Sequence, residues 1–498
     1  MTNKYTRVLP DYLADLQRTV EAAAIEVGLD FFPQIYELLD YKTMSEVAAY
    51  GGFPTRYPHW RFGMEYDKLT KSHSYGLSKI YELVINNDPC YAYLLEGNSM
   101  LEQKLVMAHV YAHNDFFKNN YYFSKTNRRM MDEMANHSTQ VRRLQAKHGQ
   151  SKVESFIDLC LSIDTLIDPM SMYITRTAAP SNEAPESNLD RAKLRVDASY
   201  MENYINPPAL FTSPAERSSD SVEKLPQIPE RPERDVMKFL INHAPLKDWE
   251  REILSIIREE AYYFAPQAMT KIMNEGWASY WHSKLMTEKL LDDSEIIDYA
   301  SVNAGVMSGG MPFNPYKIGV ELYRHIEDRW NKGQHGKEWQ NCDDMVEKQR
   351  WDTKAGKGRE KIFQVRKLYN DVNFIDEFFT EEFCREQLFY TYGWDKKSKD
   401  WEVQSRQYDQ IKGTLMSMLT NAGNPMVDVI DGNYENRGEV LLRHRHEGQD
   451  LRKDWAYEAL SSINRIWKRP ANLETIIEEK TVILRVDGSS RAERKIEA

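Results

Sequence analysis

The chain has 498 residues, 41% of them hydrophobic and 12% aromatic, with 11 Trp and 29 Tyr. That length exceeds one ordinary hydrophobic core and predicts two or three domains, and the aromatic content excludes a disordered chain. A formal net charge of −11 (65 basic against 76 acidic residues) argues against general binding to nucleic acid or to an anionic membrane.

Apolar residues at Leu9, Tyr12, Leu13, Leu16, Val20 and Ala24 recur at helical spacing and predict a helix over 9–26. QIYELLDY follows and reads as a strand. The next stretch, AAYGGFPTRYPHWRFGMEY, is rich in Gly, Pro and aromatics, which predicts an ordered loop. Helices are expected over 100–118 and 126–147, and another in KVESFIDLCLSIDTLI. From about Thr175 to Glu233 the chain turns rich in Pro, Ser and charge and reads as a linker or surface excursion. Helical periodicity resumes at Val236, and Pro266 is expected to break or start a helix. Beyond about Phe374, NPMVDVIDGNYENRGEVLLRHRHEG predicts a hairpin around ENRG, DWAYEALSSINRIWKR a helix and TVILRVDG a strand.

The expected fold is therefore mainly α with a small α+β C-terminal domain. Its expected divisions are a helical part over 1–175, a linker over 176–235, a second helical part over 236–373 sharing one core with the first, and the α+β domain over 374–498. Cys90, Cys160, Cys342 and Cys384 are scattered without a CxxC pair, which argues against a disulfide framework or a Cys-based zinc finger. The N-terminus lacks the apolar run of a signal peptide, and no window approaches 18 uninterrupted apolar residues. No membrane span and a cytoplasmic location are the expectation.

Two segments carry metal-ligand chemistry. In LEQKLVMAHVYAHNDFF, His109 and His113 stand at i, i+4 on one helix face, the spacing by which the paired histidines of HExxH metalloproteases share one ion. Glu102 lies seven residues before His109, near the same stripe. Val110 occupies the place of the HExxH glutamate, so the motif is not that of a zincin, and HxxxH alone also suits ordinary helix packing. In NEGWASYWHSK, Glu275 and His282 are seven apart on one face, while Trp277 and Trp281 read as core and Gly276, Ala278 and Ser279 as room for a close helix neighbour. Packed face to face, the two helices offer His109, His113, His282 and Glu275 to a divalent ion; such nitrogen and oxygen donors suit Zn, Mn or Fe rather than a soft metal, zinc being the first choice. Glu275 or Glu102 would act as ligand or general base. A di-metal carboxylate centre lacks its usual Glu-x-x-His pairs at these positions.

The third constellation is the loop YGGFPTRYPHWRFGMEYDKLTKSHSYG, whose His59, Arg61, Glu65 and His73 are candidate substrate-binding residues; Arg56 and Arg61 suit an anionic group. A purely structural loop is the competing reading. Asn314 before Pro315 reads as a helix cap, with Glu321 and His325 one turn apart beyond it. RHRHEG over 443–448 reads as the solvent face of a strand. No Walker A, GxSxG or kinase signature is present, and no GxGxxG in the context a dinucleotide site needs.

Four segments, AYGGFPTRYPHWRFGMEYDKL, KLVMAHVYAHNDFFKNN, TKIMNEGWASYWH and NRGEVLLRHRHEG, run from near residue 47 to near residue 448. On them the chain resembles the SpoVR family (stage V sporulation protein R and its relatives), in particular its enterobacterial-type members. The resemblance implies a stationary-phase or stress system shared with a PrkA-type serine protein kinase and a von Willebrand A-like protein. It fixes no chemistry. Two functions follow: a metal-dependent hydrolase of an amide or peptide-like substrate, cell-wall-related in the family's context, or a non-catalytic regulatory or scaffold protein working with those two partners.

Overall fold

The structure, a computed structural model, describes residues 9–74, 83–174, 228–307, 313–395 and 400–496. The expected linker over 176–235 lies outside the described residues as far as 227. The chain is mainly α with a β-rich C-terminal region.

The N-terminal half opens with α1 (Asp11–Glu26), β1 (Gln34–Leu39), α2 (Tyr41–Ala49) and α3 (Trp60–Ser74). It continues with β2 (Leu83–Ile85), β3 (Cys90–Leu95), α4 (Met100–Asn119), α5 (Met130–His148) and α6 (Gln150–Leu161). The strands form a small sheet in the order β1-β3-β2, with β1 parallel and β2 antiparallel to β3. α3 corrects the expectation of a loop throughout this region. Its first turn is capped from outside, by Glu154 of α6 accepting the Trp60 N–H at 3.1 Å, and Phe62 is buried against Tyr50 and Tyr57. Tertiary contacts thus supply what the local Gly- and Pro-rich composition lacks.

Next come α7 (Val236–His243), α8 (Asp248–Met269), α9 (Lys271–Leu285), α10 (Ile296–Met307), α11 (Pro315–Lys332), α12 (Gly358–Leu368) and α13 (Asp371–Phe378). Pro266 does not break α8. The helix runs through it to Met269 and ends at Thr270, whose hydroxyl donates to the Pro266 carbonyl at 2.7 Å. Near a helix end, the one hydrogen bond that proline removes costs little continuity. Asn314 caps α11 as expected, accepting from the Tyr316 and Lys317 N–H groups.

The chain closes with α14 (Glu381–Glu386), the β4–β5 ribbon (Thr391–Asp395 and Asp400–Ser405), α15 (Tyr408–Leu419), β6 (Val427–Tyr434), β7 (Glu439–His444), α16 (Lys453–Trp467), β8 (Ala471–Ile477), β9 (Lys480–Asp487) and β10 (Ser490–Lys495). β6 and β7 form the expected hairpin around 435–438; Glu435 and Asn436 take left-handed φ values of 53° and 57°. β7 and β8 are parallel, so α16 serves as the crossover, in a sheet ordered β10-β9-β8-β7-β6.

Two large cores result. The first buries α4, α9 and α11 against α1, α12, α13 and α15, with Trp277, Trp281, Tyr323 and Phe374 at its centre. The second lays the C-terminal sheet and α16 against α5 to α8. Residues Phe374 to Leu415 therefore contribute to the first core, whereas the strands from Val427 onward contribute to the second. No helix among the described residues is long and apolar enough to cross a membrane.

Candidate metal centre

α4 is buried without interruption from Leu105 to Phe117. A helix enclosed on all sides must satisfy its polar side chains with neighbouring elements rather than with water. α9 supplies them. It begins where Asp371, at the start of α13, accepts the N–H groups of Ile272 and Met273 at 2.8 and 2.9 Å. It is fixed to α4 by Trp277 Nε1, which donates to Asp115 Oδ2 at 2.8 Å. Asp115 also faces Arg366 of α12, while burial pushes its carboxyl up to about 6.

Between the two helices His109, His113 and Glu275 meet. Each offers one ligand atom, and the three atoms lie within 4.8 Å of one another. Glu275 Oε2 is 3.7 Å from His109 Nε2 and 3.5 Å from His113 Nε2, too far for a good hydrogen bond to either. Ligand atoms about 2.0–2.2 Å from a tetrahedral ion stand roughly 3.3–3.6 Å apart, close to the two Glu275–imidazole distances.

The surrounding groups set the tautomers. Asn274 Oδ1 can only accept, so His113 Nδ1, at 2.9 Å, carries the proton and leaves a lone pair on Nε2. His282 Nε2 faces Asn303 Oδ1 across a longer 3.4 Å, a contact that favours its carrying the proton. His282 Nδ1 is then the acceptor for His109 Nδ1 at 2.8 Å, which leaves the second lone pair on His109 Nε2. Two lone pairs and a carboxylate oxygen thus converge on one buried point, an arrangement that suits a cation. Burial works against the charge of Glu275, and Lys271, whose Nζ donates to Oε1 at 2.5 Å, supports it.

Two expected members stand elsewhere. His282 lies behind His109 and orients it, outside the three-residue cluster. Glu102 closes a capping box with Ser99 at the start of α4. The reason is common to both: seven residues span about 10.5 Å of helix, beyond the reach of one small ion from Glu275 or His109. The sequence reading missed Asn274, Asn303 and Lys271. Of these only Lys271, four residues before Glu275, carried a signal.

The candidate substrate-binding residues are not brought to the cluster. Arg61 and Glu65 line a cavity of about 540 Å³ shared with Arg56 and Glu260, and none of His109, His113 or Glu275 lines it. His59 is buried, with Nε2 3.2 Å from Asp158 Oδ1, and burial holds its imidazole below the usual range. His73 lies in the last turn of α3, its side chain outside the described set. His325 packs on Phe383, and burial pushes it down to about 4. On β7, Arg443 is exposed but His444 is buried against Thr475, so RHRHEG is only partly a solvent face.

A second cluster, Glu133, His137 and Glu259, is built differently. His137 Nδ1 is 3.2 Å from Glu260 Oε1, and Nε2 faces Glu259 at 3.5 Å and Glu133 at 3.8 Å. Burial opposes its charge, yet Glu259 and Glu260 outweigh burial and raise it to about 9. At neutral pH it is an imidazolium, with a proton where the first cluster has lone pairs. Because the folded value exceeds the ordinary 6.5, its contribution to stability is complete below about pH 6.5 and lost as pH rises through about 9. Urea midpoints measured from pH 6 to 10 should fall over that window, and the His137→Gln variant should remove that part of the fall.

A sequence profile described as "SpoVR like protein" matches residues 8–424. The chain belongs to the SpoVR family. Both helices of the candidate metal cluster lie inside the matched region, and the five-stranded sheet lies beyond it. The SpoVR chain is also similar to "Uncharacterized protein YcgB" of Escherichia coli (strain K12), at 27% identity over 508 aligned positions covering 96% of this chain and 93% of that protein. The likeness agrees with an enterobacterial-type member. No solved structure matches it.

Proposed function

We propose that His109, His113 and Glu275 hold one divalent ion, zinc by donor chemistry, and that this centre makes the protein a metal-dependent hydrolase of amide or peptide-like bonds. The observation that carries the reading is Glu275 Oε2, buried without a hydrogen-bond partner and facing both Nε2 atoms at ligand-to-ligand spacing. Two His and one Glu form a ligand set of catalytic zinc sites; an ion held by them would supply a water of lowered pKa and polarise a carbonyl. The chain's own groups have separable tasks. Asn274 and His282 hold the imidazole tautomers, and Lys271, partly exposed, keeps Glu275 ionised and turned inward.

The test is hydrolysis of a panel of dipeptides and aminoacyl anilides by zinc-loaded protein. Activity should fall at least about 100-fold in Glu275→Gln and on chelation, and return with zinc in the wild type only. Full zinc occupancy with no turnover of any substrate in the panel would sink the hydrolase.

One observation favours a second reading. The three ligands are nearly inaccessible, with 3%, 3% and 6% exposure, and the neighbouring cavity does not reach them. An ion there would tie α4 to α9 as a structural element of a non-catalytic regulator or scaffold, acting with a PrkA-type kinase and a von Willebrand A-like protein in a stress or stationary-phase system. Co-purification of those partners by wild type, and its loss with the metal, would favour this reading.

A further inference from the structure

The 540 Å³ cavity is the right size for a small-molecule site, roughly 300–1,000 Å³, and is independent of the metal reading because no ligand of the cluster lines it. Its walls are largely apolar, with Ala49, Phe62, Ile257, Ala261, Phe264 and Ala265 contributed by α2, α3 and α8. Three of its five charged residues already have partners. Arg56 and Glu260 pair at 2.6 Å in the wall, with His137 completing the charge behind Glu260. Glu65 pairs with Lys68 at 3.3 Å. Arg61 and Asp164 remain. Neither forms an ion pair within 4.0 Å among the described residues.

Arg61 is exposed at the mouth with its guanidinium 5.7 Å from the Phe62 ring, and Asp164 is half-buried just after α6. They are close enough for Arg61 to lower the carboxyl of Asp164, which burial raises to about 6, yet they do not touch. Two opposite charges held apart on one apolar cavity form a complement to a molecule that carries both charges beside an apolar group. A half-buried carboxylate facing an apolar wall is costly without a cation, and an ammonium group would supply it. The backbone adds a fixed rim: Asn421 and Ala422 both hold left-handed φ values, 50° and 53°, and Asn421 is anchored by Arg234 at 2.8 Å. Such strain persists where packing over-determines it.

We infer that this cavity binds a zwitterion with an apolar side chain, an α-amino acid or a short peptide with free termini, its carboxylate on Arg61 and its ammonium group on Asp164. Isothermal titration of the full chain uses L-leucine and L-leucyl-L-alanine as probes, with N-acetyl-L-leucine and L-leucinamide as controls that each lack one charge. The expected result is saturable binding of a zwitterion, weakened about tenfold or more for both controls. Arg61→Ala and Asp164→Asn should each weaken it by a similar factor. Tighter leucine than dipeptide assigns the site to free amino acids, and the reverse order assigns it to peptide ends. Absence of saturable heat with both zwitterions overturns the proposal. So does equal affinity for leucine and N-acetyl-leucine, a comparison made on wild-type protein that no folding defect can mimic.

Discussion

Protein purified without chelator or nickel resin is expected to carry about one divalent ion per chain, and the His109→Ala/His113→Ala variant less than about a tenth of that. The expectation follows from electrostatics more than from motif. Glu275 is 6% exposed and ionised, and its Oε2 faces two imidazole nitrogens that the hydrogen-bond chain leaves as lone pairs. Removing both imidazoles leaves Lys271 as the neighbouring counter-charge and removes two of three ligands, so retention should collapse rather than weaken. Asn274→Ala keeps all three ligands and loses only the partner that fixes His113; a 10–100-fold weaker affinity, about the usual size of such losses, is expected. Elemental analysis by mass spectrometry reads both, with circular dichroism to show that the variants fold. If wild type and variant are both metal-free and the variant is merely less stable, the histidines and Glu275 form a polar network that fixes helix register, and the hydrolase proposal falls.

Gly276→Ala should be among the most damaging single substitutions in the chain. α9 and α11 cross with backbone against backbone: a Cβ on Gly276 would stand 2.5 Å from the Gly319 carbonyl carbon, and one on Gly319 would stand 2.5 Å from Gly276 Cα. Neither neighbour is the flexible end of a side chain, so the helices themselves must part. The cost lies at or above the upper end of the about 1–3 kcal/mol typical of overpacking. Glu275 precedes Gly276, so a shift of α9 also moves the carboxylate from the two imidazoles, and metal retention should fall with the thermal midpoint. Gly63→Ala is the control. It lies in α3 with nothing within 4 Å of its would-be Cβ, so replacement should be neutral or gain up to about 1 kcal/mol of helix propensity. Similar midpoints for Gly276→Ala and Gly63→Ala would contradict the close crossing.

Much of this was legible because the signals are local. The i, i+4 spacing of His109 and His113 forces them onto one face whatever surrounds the helix, and the small residues Gly276, Ala278 and Ser279 beside Trp277 and Trp281 announce a close neighbour. The ENRG turn likewise follows from residues that tolerate left-handed backbone. Where the reading failed, the deciding contact came from another part of the chain. Trp60 to Ser74 became helical because Glu154, ninety residues away, caps it and Phe62 has a pocket. His282 shares a face with Glu275, but helix rise puts it two turns away, where it meets His109 instead of the ion site.

The sequence by itself determined the helical class, the β-rich C-terminus and the histidine pair, and narrowed the acidic partner to Glu275 or Glu102, since periodicity and spacing are properties of single elements. Tertiary structure alone decided which residues meet in the candidate cluster and which orient them, because hydrogen-bond direction depends on the partner: Asn274 Oδ1 can only accept, and it sets the proton on His113 Nδ1. It also decided that Arg61 and Glu65 belong to a separate cavity, because α3 docks beside α6 and α8 rather than across the crossing of α4 and α9.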